Sequence, residues 1–428
     1  MSSAQPEMAM DRQRAIYSRG LAGRTPRVPV DFETLEARAR DRLSPQAFAY
    51  IAGGAGREDT VRHNREGFAD WRIIPRMLQD VGERDPSVTL FGRRLPSPFL
   101  LSPVGVLEMA HREADLAVAR AAAAEGVPFL LSSQASAPME TCARSMGDGA
   151  RWFQLYWSKS DAVVASFVQR AEASGCDAIV VTLDTTLLGW RTRDLDLGYL
   201  PFLRGRGIAQ YTADPAFLAA LEEPLPDDAA AVKPPVTLHT LRALLQAARS
   251  FPEGTLASLR SGRALAAVRR FIATYSRPTL TWDELARLRE LTRLPVVLKG
   301  ILDPEDARRA LDHGVDGIMV SNHGGRQVDG AVATIEQLPA IREVVGDRVP
   351  LILDSGVRGG ADAFKALALG ATAVGVGRPY CYGLAVAGEA GVREVIANLR
   401  ADFELTMGLA GCRCTAEITQ ERLRSAIR

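Results

Sequence analysis

Cysteine is scarce in this 428-residue chain, and its five copies, Cys142, Cys176, Cys381, Cys412 and Cys414, show no paired spacing. So sparse and odd a set excludes a disulfide-built fold, and Cys412-x-Cys414 without a second pair or a nearby histidine is read as packing rather than as a metal site. A reducing, cytoplasmic setting is expected, with no metal. An excess charge of either sign is also missing, since 52 basic residues face 51 acidic ones, and a net +1 steers neither nucleic acid nor an anionic membrane toward the protein. No apolar run approaches the ~20 residues of a membrane span, and the first two dozen residues lack the apolar core of a signal peptide. No repeat of solenoid length is visible.

What is present suffices for a sizeable core, at 47% hydrophobic residues. Ser44-Pro45 opens, and Gly53-Gly54 closes, a capped helix in a helical N-terminal stretch. From Phe99 onward eight short apolar runs recur: Phe99 to Pro103, Pro128 to Ser132, Trp152 to Tyr156, Ala178 to Asp184, Pro295 to Lys299, Gly317 to His323, Pro350 to Asp354 and Ala373 to Gly377. Near-continuous apolar runs suit parallel strands buried on both faces. Amphipathic segments such as Glu113 to Glu125, Asp161 to Ser174, Trp282 to Thr292, Pro304 to His313 and Gly360 to Leu369 lie between them. The alternation predicts a (β/α)8 TIM barrel over residues 99–428, behind an N-terminal helical extension at 1–98. Residues 186–280, with Pro-rich Glu222 to Pro235 and an Arg- and Ala-rich stretch from Leu241 to Tyr275, form too long an interval for the fourth connection. Such an insertion is expected to act as a lid, the alternative being passive decoration or an oligomer contact.

Barrel sites form at the C-terminal strand ends, so the polar residues that end each run are read as one ring. That ring holds Ser132, Gln154, Tyr156, Thr182, Asp184, Lys299, Ser321 to Gln327, Asp354, Ser355, Gly356, Gly377 and Arg378. The seventh and eighth runs end in two glycine-rich turns, each with an arginine, Arg358 and Arg378, a pattern suited to cradling one phosphate. His323 and Arg326 could serve proton exchange and bidentate carboxylate binding. His63, His111, His239 and His313 lie off the ring and are read as structural, and Trp152, Trp157 and Trp190 as core or pocket wall.

The stretch Ser321-Asn322-His323-Gly324-Gly325-Arg326-Gln327 resembles the active-site signature of the FMN-dependent 2-hydroxy-acid oxidases and dehydrogenases. The likeness runs from about Ile16 to Ile418, except in the latter half of the insertion. In Ala49 to Gly56 and Gly189 to Leu195 it is nearest the lactate monooxygenase branch. It implies FMN as cofactor, a small L-2-hydroxy acid and O2 as substrates, and a homotetramer or larger assembly. His323 would be the base, Asp184 its partner and Tyr156 a neighbour of the substrate hydroxyl, while Tyr50, Arg191 and Arg326 would hold the carboxylate. Lys299, Ser132, Gln154, Thr182, Pro103, Val104 and Gly105 would surround the flavin ring, with Ser321, Asp354, Ser355, Gly356, Arg358, Gly377 and Arg378 completing the cofactor site. Gly105 departs from the alanine of other oxidases, which implies different space beside the flavin's reactive nitrogen. Gln134 replaces an aromatic residue of glycolate oxidase. Three functions follow as candidates: a monooxygenase that decarboxylates its substrate, a plain oxidase or dehydrogenase acting on a larger or peptide-derived 2-hydroxy acid, and a non-redox phosphate-binding barrel.

Overall fold

The computed structural model describes residues 9–225 and 235–426, so part of the Pro-rich Glu222 to Pro235 segment lies outside the described residues. Each of the eight runs contains a strand: β1 Phe99–Leu101, β2 Phe129–Ser132, β3 Arg151–Leu155, β4 Ile179–Thr182, β5 Val296–Ile301, β6 Gly317–Val320, β7 Leu351–Leu353 and β8 Ala373–Val376. They pair in parallel in chain order, and β8 returns to β1 to close the barrel. The outer helices are α1 Ala114–Glu125, α2 Met139–Met146, α3 Asp161–Ala173, α4 Glu284–Leu291, α5 Pro304–Asp312, α6 Thr334–Val345, α7 Gly360–Ala368 and α8 Arg378–Leu409, the last broken at Ala387 and Gly388. Local chemistry sets their ends. Asp303 caps α5 with Pro304 in its first turn, and Gly126 stops α1 in the left-handed region that glycine tolerates.

Strand alternation divides each run between two cores. Leu100, Leu130, Trp152, Val180, Val297, Met319, Ile352 and Ala373 pack inside the barrel. Phe99, Phe129, Leu131, Phe153, Ile179, Leu298, Ile318 and Leu353 belong to the larger outer core with the helices. Burial of each such large side chain contributes about 1.5–3 kcal/mol against chain entropy. The same alternation, carried two residues further, brings the inward position of several strands to a polar residue, and there the site begins.

The N-terminal region contains more than helices. A hairpin, Val88–Leu90 with Arg93–Leu95, lies beneath the barrel, where Phe91 meets Trp152 at a ring-centroid distance of 5.3 Å. Strand Trp71–Ile73 pairs antiparallel with Leu423–Ser425 from the far end of the chain. Three-residue strands are too short to carry a period-two signal, which explains why the sequence pattern reads as helical alone. Helices Phe32–Arg40, Pro45–Ala52 and Asp59–Ala69 then bring Gly53 and Asn64 to the site-bearing rim.

The first half of the insertion is bolted to the barrel. Arg170 of α3 donates to the Gln210 carbonyl (2.8 Å) and to Asp214 (3.0 Å), while Ser166 donates to the same carboxylate (2.6 Å). Asp214 is fully buried and also accepts from the Phe217 N–H. Tyr211, Phe217 and Phe271 continue this anchor as edge-on aromatic pairs. Asp214→Ala leaves the Arg170 guanidinium short of a buried partner, and a loss of about 3 kcal/mol in unfolding free energy is expected by urea titration. A change within 0.5 kcal/mol would show that this network does not hold the insertion.

Candidate active site

The floor of the site is a polar layer at the inward ends of the strands. Register places Ser132 beside Gln154 and Thr182 beside Lys299. Gln154 accepts through Oε1 from the Ser132 hydroxyl and the Ser133 N–H, both at 3.2 Å, so its Nε2 is the free end. Lys299 donates to Ser321 (2.9 Å) and stands 3.6 Å from Asp354, which also accepts from Ser102 and Ser355. The Ser321 hydroxyl accepts from the His323 N–H as well, so it orients two neighbours.

Above this floor His323 Nδ1 lies 2.7 Å from Asp184 Oδ1, joining the end of β6 to the end of β4. Thr185 donates to Asp184 at 3.0 Å. Burial favours a protonated Asp184, but the His323 and Lys299 charges and the His323 and Thr185 hydrogen bonds outweigh it and hold the carboxyl at about 2. Burial pulls the His323 pKa below its ordinary value, with Lys299 and Arg191 adding to the effect and Asp184 opposing it. The imidazole is therefore neutral and able to accept a proton at neutral pH. Its turn is strained: His323, Gly324 and Gly325 have φ of 58°, 66° and 75°, in the left-handed region. A Cβ on Gly325 would sit 2.7 Å from the Val61 nitrogen, so glycine is needed there on two counts. Asn64 and Asn322, buried and hydrogen-bonded to each other at 2.7–2.9 Å, brace the turn from the N-terminal region.

Five cationic side chains, Arg191, Lys299, Arg326, Arg358 and Arg378, line one cavity. Arg326 and Arg378 both donate to the Gly53 carbonyl, at 2.7 and 3.0 Å, and Arg191 is held by Gln327 Oε1 at 3.1 Å. Arg326 lies over the Tyr50 ring at 5.2 Å. Burial and Arg191 lower the Arg326 pKa, and burial and Arg378 do the same to Arg358. Guanidinium stays charged at neutral pH, so both shifts register a need for anions.

The remaining lining mixes expected and unexpected residues. Tyr50, Pro103, Val104, Gly105, Gln134, Tyr156, Asp354, Ser355, Gly356 and Gly377 face the cavity as expected. Burial raises the Tyr156 pKa, with Asp184 adding to the effect, so its phenol remains a donor. Phe202 and Tyr275, on the insertion, complete the wall with Leu188; Tyr275 follows the amphipathic helix Arg263–Thr274, whose buried face holds Ala264, Ala267, Val268 and Phe271, whereas Phe202 lies in a four-residue turn with no periodicity to mark it. Of the other histidines, His63 pairs with Glu336 and His313 stacks on Trp282. Trp190 is exposed, and Trp152 lies at the barrel floor.

Comparison with known proteins agrees with this geometry. A family model described as FMN-dependent dehydrogenase matches residues 39–425. An L-lactate oxidase of Lysinibacillus sphaericus is 39% identical over 90% of this chain and 89% of its own length. The human 2-hydroxyacid oxidase 1 is 37% identical over 91% of this chain and 95% of its own. A crystal structure of mandelate oxidase superposes with a TM-score of 0.73 at 36% identity, over 92% of this chain and 98% of that one. Gln154 Nε2, Thr182 Oγ1, Arg358 Nε and Arg378 Nε are buried without partners, which leaves donors for a polar ring at one end and an anion at the other. The residues present thus fit FMN.

Gly105 also has a packing consequence. A Cβ there would lie 2.9 Å from the Gln134 Cβ and 3.1 Å from the Gln134 carbonyl, so the missing methyl lets the two loops close on each other. Val106 N–H then donates to that carbonyl at 2.8 Å. Gly105→Ala is expected to displace Gln134 by several tenths of an ångström and to cost about 1 kcal/mol by thermal or urea unfolding. A crystal structure of the variant with Gln134 unmoved would contradict this packing.

Proposed function

Because the chain belongs to the FMN-dependent dehydrogenase family and is an FMN-dependent oxidoreductase acting on 2-hydroxy acids, we propose that its substrate is a small L-2-hydroxy acid of about lactate size. The carrying observation is the His323–Asp184 contact of 2.7 Å in a cavity that also holds Arg191 and Arg326. Similarity to an L-lactate oxidase supports the size, as does a wall closed by Leu188, Phe202 and Tyr275.

In this reading Arg191 and Arg326 grip the substrate carboxylate, and Tyr50 donates its phenol to the same group. Bidentate guanidinium binding fixes the reacting carbon as well as the charge. Tyr156 donates to the substrate hydroxyl. His323 accepts a substrate proton and becomes an imidazolium, which Asp184 stabilises across their short contact. FMN supplies the two-electron acceptor. Arg358, Arg378, Ser355, Gly356 and Gly377 hold its phosphate end; Lys299, Ser132, Gln154, Thr182, Pro103, Val104 and Gly105 surround its ring; Ser321 and Asp354 fix Lys299.

His323→Gln removes the proton acceptor but keeps a hydrogen-bonding side chain. We expect flavin content to persist and the rate of anaerobic flavin reduction to fall by about three orders of magnitude or more. Near-normal reduction in stopped-flow traces would refute the assignment of the base.

The finer reading is a monooxygenase. O2 takes up the two electrons and two protons removed from the substrate and becomes hydrogen peroxide, which, retained with the keto acid, reacts with it to give the acid one carbon shorter, carbon dioxide and water; for lactate this means acetate. Retention is supported by the wall that Phe202 and Tyr275 build, with Phe202, Phe271 and Tyr275 packed in series at centroid distances of 5.1 Å. Opening that wall with Phe202→Ala should raise free peroxide and keto acid at the expense of the decarboxylated product, measured with and without catalase. Stoichiometric peroxide and keto acid from the unaltered enzyme would instead make it a plain oxidase.

A further inference from the structure

Among the five cations of the cavity, Arg358 is set apart by what it leans on. Its guanidinium carbon lies 4.4 Å from the centre of the Phe32 ring, a shorter approach than that of Arg326 over Tyr50, at 5.2 Å. Arg358 Nη1 donates to its neighbouring Val357 carbonyl, while Nε is buried and unpartnered. Asp362 is close, but its carboxylate is spent on the Arg358 and Gly359 N–H groups and on Arg65. Among the described residues no carboxylate makes an ion pair with the Arg358 side chain.

Phe32 is itself held. It occupies the first turn of helix Phe32–Arg40, which Asp31 caps by accepting from the Thr34 N–H at 2.8 Å. Its ring packs on Tyr382 at 5.7 Å, and Tyr382 hydrogen-bonds Glu36 of the same helix at 3.2 Å. Tyr382 in turn meets Phe48 at 6.5 Å. This aromatic cluster joins the N-terminal region to the first turns of α8, which begins at Arg378. The face of an aromatic ring attracts a cation, most strongly where water is excluded, and leaves the guanidinium edge free to donate.

We propose that Phe32 is a positioning residue for the cofactor phosphate: its ring supports the half-buried Arg358 guanidinium from behind and aims its free N–H edge at the anion. The inference rests on the phosphate reading of Arg358. A phenylalanine some 326 positions upstream therefore tunes how firmly the phosphate is held, with no polar contact of its own to it.

The test compares FMN with riboflavin, which has the same ring and lacks the phosphate, on full-length deflavinated protein, by fluorescence titration. Phe32→Leu keeps apolar bulk and loses the π face, and the dissociation constant for FMN is expected to rise about tenfold while that for riboflavin stays constant. Phe32→Trp, with the stronger face, should keep tight FMN binding and provides the comparison if the leucine variant folds poorly. Arg358→Gln is the control for the underlying reading and should lose FMN-over-riboflavin preference by a larger factor. Equal weakening of both ligands in Phe32→Leu would reduce Phe32 to a packing residue. An unchanged preference in Phe32→Leu, with that of Arg358→Gln lost, would overturn the positioning role and leave the phosphate site intact. An unchanged preference in Arg358→Gln would remove the premise itself.

Discussion

The site depends on a surplus of buried and half-buried positive charge that the protein does not neutralise. Arg191, Lys299, Arg326, Arg358 and Arg378 share one cavity in which, among the described residues, Asp354 is the sole acidic lining residue, with Asp184 behind His323. Burying charge without a partner costs several kcal/mol per ion, so such a cavity persists only if rigid neighbours hold it and anions complete it. The neighbours are carbonyls and rings: Gly53 for Arg326 and Arg378, Gln327 for Arg191, Tyr50 and Phe32 for the guanidinium faces. In the proposed reading these anions would be the FMN phosphate at one end and a substrate carboxylate at the other. Burial lowers the His323 pKa, and Lys299 and Arg191 of this surplus add to the effect against Asp184, which keeps the imidazole neutral at neutral pH.

The barrel explains how so many polar groups meet. Eight parallel strands direct alternate side chains inward, and the inward series runs from Trp152 at the floor to Gln154 at the rim, and from Val297 to Lys299. A change of two residues thus takes a strand from core to chemistry. The connections then differ in freedom. The first half of the insertion is pinned by Arg170 and Asp214, so the wall it carries through Phe202 is built on a fixed base.

The ring of strand ends was legible in the sequence because its members end recognisable apolar runs. His323, Asp184, Lys299 and Arg326 could be placed together by topology alone, and the signature around His323 supplied the chemistry. The supporting residues were not legible. Gly53 meets Arg326 from 273 positions away through a backbone carbonyl, which carries no residue-type signal. Phe32 reads as an ordinary apolar residue at a helix start, Phe202 sits in a four-residue turn with no period to orient it, and the helical pattern that runs up to Tyr275 marks a buried face without showing what that face meets. Gly105 stands out in the sequence, but only the packed structure shows that its missing methyl faces Gln134.

The central claim is that this cationic cavity presents a neutral, buried His323 to the substrate. The pH dependence of kcat/KM for the holoenzyme tests it most directly, since that ratio reports groups of the enzyme before substrate binds. A group with a lowered pKa is protonated only in acid, so activity should be level through neutrality and fall on an acid limb below the ordinary imidazole value of about 6.5, a limb missing from His323→Gln. An acid limb centred above neutrality, or one retained in His323→Gln, would contradict the account.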